Sequence, residues 1–305
     1  MTRGRAMAIV ATALLFAAPA LGAQAPPLEH LTVTVDGHPM AVWARRPAHA
    51  RGAILFVHGR TWSARPDFDL QVPGEPRSVL AAVAARGYAA YAVDLRGYGG
   101  TPVDPSGWNT PDRAAQDVAA VLQWVRAQAP SLGAPVLFGW SNGATVSQLV
   151  AQRWPSRMSA LALIGYWVDP DSTFKPDTTH GPAPVVKNTA QAAASDFITP
   201  AVIDDRVKNA YVKASLAADP VYAEWRNYDQ YDALDPAKVR VPTLLLQGEF
   251  DPLAPTAAQA RFFTRLGTAH REWVTIAGAD HAAILETTQG RVVVAVASFI
   301  ERMKE

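Results

Sequence analysis

The amino-acid sequence predicts an α/β fold with a mostly parallel, doubly wound sheet flanked by helices. Two observations carry this prediction. Several short runs are almost continuously apolar, which is typical of strands that are covered on both faces in a parallel sheet. Stretches of helical length lie between these runs, so strand and helix alternate along the chain.

The predicted strands begin with a hairpin, because Leu31–Val35 and Ala41–Arg45 flank the turn dipeptide Asp36-Gly37. The apolar runs that predict the following strands are Ala53–Val57, Tyr88–Val93, Val136–Phe138, Ala160–Ile164 and Val241–Leu246, and Glu272–Ile276 is the last predicted strand. The helices between them are predicted at Ser78–Arg86, Asp112–Gln128, Ala144–Trp154, Thr256–Leu266 and Arg291–Arg302.

Residues 166–238 break this alternation. The stretch is first rich in Pro and Asp and then turns helical and aromatic. Because it lies between two sheet strands, we expect a mainly helical cap, or lid, over the strand ends. Residues 26–165 and 239–305 then form the core. The alternative is a surface excursion with no role in binding.

The N-terminus has the layout of a secretory signal peptide over residues 1–25. Arg3 and Arg5 precede an apolar stretch from Met7 to Leu21, and small residues follow it. We expect cleavage near Ala23, export to the periplasm or the medium, and no stable membrane insertion afterwards. An uncleaved anchor is the alternative. The chain has no cysteine, which excludes a bacterial lipid anchor, disulfides, thiol catalysis and cysteine-ligated zinc.

Composition narrows the class of partner. The chain has 305 residues, of which 49% are hydrophobic, and a formal net charge of +1. This length suits one large core, or a core with a lid. Neither a basic stripe nor a charge block occurs, so the sequence argues against a nucleic-acid partner and favours a small-molecule substrate.

The most informative motif is Gly139-Trp140-Ser141-Asn142-Gly143, which follows an apolar strand and precedes a predicted helix. Glycines on both sides of a serine permit the sharp turn of a nucleophile elbow, which exposes the hydroxyl above the sheet edge. Three small residues in this order also occur by chance, but the strand–turn–helix context favours Ser141 as a covalent nucleophile.

Four motifs in this order resemble the α/β-hydrolase superfamily. They are His58-Gly59 after the third strand, the loop Asp94–Gly99 after the fourth, the serine elbow, and Gly248-Glu249-Phe250-Asp251 followed by Asp280-His281. The resemblance extends from Leu31 to the C-terminal helix. It implies an esterase-like serine hydrolase with a cap inserted after the sixth strand, and the serine argues against the epoxide hydrolases and haloalkane dehalogenases, which use an aspartate there.

Position selects the base among the seven histidines. A serine hydroxyl needs a neighbouring base, and the sites of open α/β sheets lie beyond the carboxyl ends of the strands. His281 follows the last strand, whereas His270 precedes it. The orienting carboxylate is predicted to be Asp251, which follows the preceding strand. Asp169 and Asp171 remain substitutes, because some members of the superfamily place their acid there.

The oxyanion of acyl transfer requires preorganised N–H donors. One is predicted to be the backbone N–H of Asn142, directly after the nucleophile. For the other, the resemblance implies the N–H of Arg60, with Thr61 as the fallback. Trp62 and Trp140 flank these donors, so they are candidates for the substrate pocket, with ordinary core packing as the alternative.

Neither a cofactor nor a metal is expected. The glycine run after Arg96 lacks the last glycine of a dinucleotide loop, since Pro102 stands there, and no phosphate loop or His-Glu-x-x-His motif occurs.

The sequence therefore predicts hydrolysis of a carboxylic ester with an apolar or aromatic group on at least one side, through an acyl-enzyme. The main alternative is an aminopeptidase similar to the proline iminopeptidases, in which Glu224 and Asp229 of the predicted cap could bind the substrate amine. Acyl transfer and perhydrolysis would use the same residues, and a binding protein that has lost catalysis is a third possibility.

Overall fold

A computed structural model describes residues 25–199 and 202–303, so the predicted signal peptide lies outside the described residues except for its last residue. In chain order the strands are β1 (Glu29–Val35), β2 (His38–Arg45), β3 (Ala53–Val57), β4 (Ala89–Val93), β5 (Val136–Trp140), β6 (Ala160–Ile164), β7 (Thr243–Gly248) and β8 (Arg271–Ile276). They form one sheet in the order β1-β2-β4-β3-β5-β6-β7-β8. β2 pairs antiparallel with its two neighbours, β1 and β4. The other six strands, which follow β2 in this order, pair parallel with one another. The predicted mostly parallel α/β class is confirmed.

The helices are α1 (Ala64–Phe68), α2 (Val79–Ala84), α3 (Pro111–Gln128), α4 (Asn142–Arg153), α5 (Ala190–Ala194), α6 (Asp205–Ala218), α7 (Thr256–Arg265) and α8 (Gln289–Arg302). Hydrogen bonds accepted by the side chains of N-cap residues fix the starts of some of these helices. The Thr110 side chain accepts the N–H of Arg113, and Pro111 takes the first position of α3, where its missing N–H has no consequence. The Ser78 side chain likewise accepts the N–H of Ala81 at the start of α2.

Two apolar cores lie on the two faces of the sheet. Because side chains alternate along a strand, Leu55 and Leu137 face one core, which α3, α4 and α7 complete. Phe56 and Phe138 face the other core, which α1, α2 and α8 cover. All residues of β3, β5 and β6 are buried. The continuous apolar runs thus correspond to strands covered on both sides.

Some boundaries differ from the prediction for identifiable reasons. β7 begins at Thr243 rather than Val241, because Pro242 has no N–H to give to the ladder. α4 begins at Asn142 rather than Ala144, because Ser141 is the only residue between the end of β5 and the start of the helix. The short helix α1 was not predicted; it is only five residues long and has no periodic pattern to reveal it.

The segment between β6 and β7 contains α5, α6 and two short 3₁₀ turns. Its first part, residues 170–189, has no helix or strand and is mostly exposed. Its last part is tied to the core, since the N–H of Asn109 donates to the carbonyl of Glu224 and the N–H of Arg226 donates back to the carbonyl of Asn109. Among the described residues, we find no helix with the length and apolar character that a membrane crossing requires.

Candidate active site

Ser141 occupies the sharp turn between β5 and α4. Its backbone has φ 55° and ψ −122°, a combination that residues other than glycine rarely adopt and that is found mainly at functional sites. Its N–H donates to the carbonyl of Ile164 at 3.0 Å, which ties the turn to the end of β6. The hydroxyl is thereby held above the carboxyl ends of the central strands.

The two glycines of the pentapeptide are required by close main-chain packing. A methyl group on Gly139 would lie 2.4 Å from the carbonyl oxygen of Gly143, and one on Gly143 would lie 2.3 Å from the carbonyl oxygen of Val57. Real side chains do not approach backbone this closely. The glycines therefore allow α4 to start directly against β3 and β5 and to direct its N-terminus at the site.

The structure brings together the three residues predicted as a catalytic triad. His281 Nε2 lies 2.9 Å from Ser141 Oγ, and His281 Nδ1 lies 2.9 Å from Asp251 Oδ2. Since a carboxylate only accepts, Nδ1 carries the hydrogen and Nε2 is left to accept the serine proton. The second oxygen of Asp251 accepts the N–H of Leu253 at 2.9 Å, which fixes the carboxylate. The arrangement has the geometry of a serine nucleophile with its base and orienting acid.

The other candidate acids are engaged elsewhere. Asp169 forms a bidentate ion pair with Arg261, which lowers the pKa of Asp169 to about 2. Asp171 pairs with Arg265. Neither contacts His281, so the geometry favours Asp251 as the orienting acid.

The loop after β3 lies directly against the nucleophile. A methyl group on Gly59 would be 3.4 Å from Ser141 Cβ, so Arg60 follows the point of contact. His58 holds this loop: its Nε2 accepts the N–H of Leu95 at 3.0 Å and its Nδ1 donates to the carbonyl of Gly59 at 2.8 Å. Burial lowers the pKa of His58 to about 4, so it is neutral and positions the loop.

The two backbone N–H groups predicted for the oxyanion belong to Asn142 and Arg60. Asn142 is the first residue of α4, and the first N–H groups of a helix have no acceptor inside it. The Arg60 peptide is fixed from the other side, because its carbonyl accepts the hydroxyl of Tyr98, which in turn accepts Trp225 Nε1 at 2.7 Å. Asn142 thus directly follows Ser141 at the start of α4, and Arg60 directly follows Gly59, which lies against Ser141.

The two tryptophans proposed for the pocket are buried, with exposed fractions of 1% for Trp62 and 3% for Trp140. Trp140 Nε1 donates to the carbonyl of His281 at 2.8 Å. It therefore links the strand that carries the nucleophile to the loop that carries the base. In this position Trp140 orients His281 in addition to packing in the core.

Residues 48–288 match the family described as "Serine aminopeptidase, S33", a group of α/β hydrolases. The chain belongs to this family. No curated protein sequence matches the hydrolase. Its fold is similar to that of several solved hydrolases, at identities that show the fold alone.

One is a serine hydrolase involved in carbazole degradation, with 18% identity, a TM-score of 0.63, and coverage of 90% of this chain and 99% of the other. A thermophilic esterase from Thermogutta terrifontis has 18% identity and a TM-score of 0.63, with coverage of 90% and 98%. An esterase of M. tuberculosis has 17% identity and a TM-score of 0.63, with coverage of 92% and 93%.

The hydrolase also places residues at the site that the sequence did not predict. The hydroxyl of Tyr231, from the β6–β7 segment, donates to Asn142 Oδ1 at 2.9 Å. Both residues are buried. The segment therefore contacts the residue after the nucleophile, and no motif in the sequence marks Tyr231 among the neighbouring tyrosines.

Tyr211 links two acids of the hydrolase, the buried Asp67 and the partly exposed Asp196, and Asp196 lies near His281. Tyr211 of α6 contacts Asp67 at 3.0 Å and Asp196 at 2.9 Å. Burial raises the pKa of Asp67 well above its ordinary value, and the neighbouring Asp196 adds to this effect. Burial also raises the pKa of Asp196 to about 6, against the hydrogen bond from Tyr211 and the nearby charge of His281. Asp196 is partly exposed, so it offers a carboxyl group on the His281 side of the site.

A second pair of carboxyl groups supports the loop of His281. Both oxygens of Glu286 lie 3.2–3.3 Å from the N–H of Asp280, and Asp280 accepts the N–H of Thr199 at 2.6 Å and of Ala282 at 2.9 Å. Burial, together with the hydrogen bond and charge of Asp280, raises the pKa of Glu286 to about 9. The pKa of Asp280 is lowered: its burial is outweighed by hydrogen bonds from Glu286 and from those N–H groups. Near neutral pH the pair therefore shares one proton, which resides on Glu286.

Asp219, directly after α6, connects the β6–β7 segment to two loops of the site. Its carboxyl group accepts the N–H of Ser63 and the N–H of Gly99, both at 2.8 Å. The first of these N–H groups belongs to the loop of Arg60 and the second to the predicted glycine-rich loop. A single buried side chain thus fixes both loops to the end of α6.

Proposed function

We propose that this α/β hydrolase is a serine esterase that cleaves a carboxylic ester through an acyl-enzyme. The observation that carries the proposal is the continuous chain of 2.9 Å contacts from Ser141 through His281 to Asp251. A weakly acidic hydroxyl becomes a nucleophile when a positioned base accepts its proton.

The proposed reaction proceeds in two steps. Ser141 Oγ attacks the ester carbonyl while His281 Nε2 takes its proton, and Asp251 stabilises the resulting imidazolium. The carbonyl oxygen becomes negative and accepts the N–H groups of Arg60 and Asn142. His281 then returns the proton to the departing alcohol, which leaves an ester of Ser141. A water molecule, deprotonated by His281, attacks that ester, releases the acid and restores the hydroxyl.

Hydrolysis of p-nitrophenyl esters from acetyl to long acyl chains tests the proposal, with the wild-type chain and Ser141→Ala in parallel. We expect turnover in the wild type only, and labelling of the wild type by a fluorophosphonate. The chain-length optimum then measures the size of the acyl pocket. Absence of both turnover and labelling in a folded wild-type protein would contradict the proposal.

The second candidate is aminopeptidase activity with the same triad. The observation in its favour is Asp196, a partly exposed residue close enough to His281 to feel its charge, since a carboxylate near the catalytic base could bind a substrate ammonium. Of the residues proposed earlier for this role, Asp229 has one carboxylate oxygen that is buried without a hydrogen-bond partner in the described part of the chain. Glu224 is partly exposed.

Alanine and proline p-nitroanilides distinguish the two candidates. An aminopeptidase would cleave them in preference to simple esters, and Asp196→Asn would raise their KM. Asp205→Asn, which removes an exposed carboxylate at the start of α6, serves as the control. Ester turnover without anilide turnover would assign the hydrolase to the esterases.

A further inference from the structure

The side chain of Arg60 lies at the site but has no role in the proposed chemistry, which uses only its backbone N–H. Arg60 follows Gly59, where a methyl group would lie 3.4 Å from Ser141 Cβ, and the Arg60 side chain is exposed. The guanidinium carbon lies 5.4 Å from the ring centre of Tyr222 and 5.2 Å from that of Tyr228. Two rings of the β6–β7 segment thus hold the cation of a residue that directly follows the loop's contact with the nucleophile.

In the part of the chain that the structure describes, this guanidinium forms no ion pair. Over residues 25–199 and 202–303, no carboxylate oxygen lies within 4 Å of it, and none of its N–H groups donates to a protein acceptor. The hydroxyl of Tyr228 is buried and, in the same part of the chain, has no hydrogen-bond partner. Burial raises the pKa of Tyr222 and of Tyr228; the charge of Arg60 opposes this rise, and the charge of Glu224 adds to it. Glu224 nevertheless forms no ion pair with Arg60.

This arrangement leaves the donors of Arg60 available. Aromatic faces attract a guanidinium through its charge and its flat surface, and they do not occupy its N–H groups. The two tyrosines therefore restrict the side chain without using its donors. A planar fork of N–H groups matches the two oxygens of a carboxylate. Because Arg60 also supplies a proposed oxyanion N–H, a carboxylate bound by its side chain would belong to the same molecule as the scissile ester.

We propose that Arg60 is a specificity-determining residue that binds a carboxylate carried by the ester substrate. The inference rests on the proposed ester hydrolysis and narrows its substrates to esters with a second, anionic end. Such compounds are half-esters of dicarboxylic acids, if the carboxylate is on the acid side, or esters of hydroxy acids, if it is on the alcohol side.

Paired substrates of similar length, one with a terminal carboxylate and one without a charge, test this inference. On the acid side, the p-nitrophenyl half-esters of succinic, glutaric and adipic acid are compared with p-nitrophenyl butanoate, pentanoate and hexanoate. On the alcohol side, 4-acetoxybenzoate is compared with its methyl ester. The measured quantity is the ratio of kcat/KM for the charged substrate to kcat/KM for its uncharged partner, in the wild type, Arg60→Gln and Arg60→Lys.

We expect Arg60→Gln to lower this ratio by about tenfold or more for one of the two sides, since a hydrogen-bonded charge pair is lost. Arg60→Lys should retain part of the ratio, because it keeps the charge and loses the fork. The control is Arg157→Gln, which removes an arginine that also lies against an aromatic ring, Trp154 at 5.6 Å, but precedes β6 at the opposite edge of the sheet. It should leave the ratio at the wild-type value.

An equal ratio in the wild type and Arg60→Gln on both sides would overturn the inference while leaving ester hydrolysis standing. If the wild type hydrolyses no ester, or if Ser141→Ala hydrolyses esters equally well, the proposed function fails. The carboxylate site is then tested by a binding measurement that does not depend on turnover. The probe is then monomethyl glutarate, titrated calorimetrically into Ser141→Ala and into Ser141→Ala with Arg60→Gln. A Kd raised about tenfold or more by the second substitution supports the carboxylate site, and an unchanged Kd or no binding overturns it.

Discussion

Replacement of Glu286 by Gln should stabilise the hydrolase, and more so as the pH rises. Glu286 is fully buried, and its pKa is raised from 4.5 to about 9. The folded protein therefore keeps a proton that the unfolded chain releases above pH 4.5. Stability contributed by this group is present at low pH and is lost as the pH rises from about 4.5 toward 9. Glutamine has the shape of the protonated acid and does not ionise.

The gain in the free energy of unfolding depends on how far the pH lies above 4.5, the pKa of this glutamate in the unfolded chain. At 1.36 kcal/mol per pH unit, keeping Glu286 protonated at pH 7 costs about 3 kcal/mol, and at pH 5 it costs less than about 1 kcal/mol. Asp280 does not obscure this trend, because its lowered pKa confines its own contribution to pH values below about 4. The amide of the glutamine can still donate to Asp280 and accept its N–H.

Urea unfolding at pH 5, 7 and 9 measures the effect. We expect the free energy of unfolding of Glu286→Gln to exceed that of the wild type by up to about 3 kcal/mol at pH 7, with a larger difference at pH 9. Glu301→Gln, at an exposed ion pair with Arg51, should show no such trend. A difference that is negative, or that does not grow from pH 5 to pH 7, would refute the reasoning.

Two further predictions concern the triad. Asp251→Asn should lower kcat by about 10⁴-fold because the imidazole loses its productive tautomer, whereas Asp169→Asn should leave kcat unchanged. Kinetics of ester hydrolysis measure both values. A lowered kcat in Asp169→Asn would make Asp169 the orienting acid. Gly165→Ala should lower kcat by about 100-fold, because a methyl group there would lie 2.8 Å from Cε1 of His281. Gly74→Ala has a similarly positive φ but open space around it, so it should lose only stability, by about 1 kcal/mol; equal kcat values in the two glycine variants would exclude the steric explanation.

The parts of the fold that follow from short-range pattern could be predicted from the sequence. The buried parallel strands appear as continuous apolar runs because both of their faces are covered. The residues predicted as the triad could be placed together because each lies shortly after the end of a strand, and the carboxyl ends of parallel strands share one edge of the sheet. The chain order of Ser141, Asp251 and His281 then left few combinations.

The residues that the sequence did not reveal come mainly from the β6–β7 segment. Tyr231 and Asp196 approach the site through a segment without strand periodicity, whose path is set by long-range contacts such as the pairing of Asn109 with the backbone at residues 224 and 226. A carboxylate such as Asp196 appears in the sequence as one of many surface acids. Its pKa is raised by burial in the folded chain and, to a smaller extent, by the charge of Asp280.

The double hydrogen bond of Asp219 limits how the site can open. Movement of α6 away from the core would break the bonds to the N–H groups of Ser63 and Gly99, at about 1.5–3 kcal/mol each for bonds to a charged acceptor. Even the lower sum leaves fewer than about one molecule in a hundred open by this route. Substrate and product would then have to exchange without displacement of this helix, and substitutions that remove the carboxylate of Asp219 should loosen both loops of the site together.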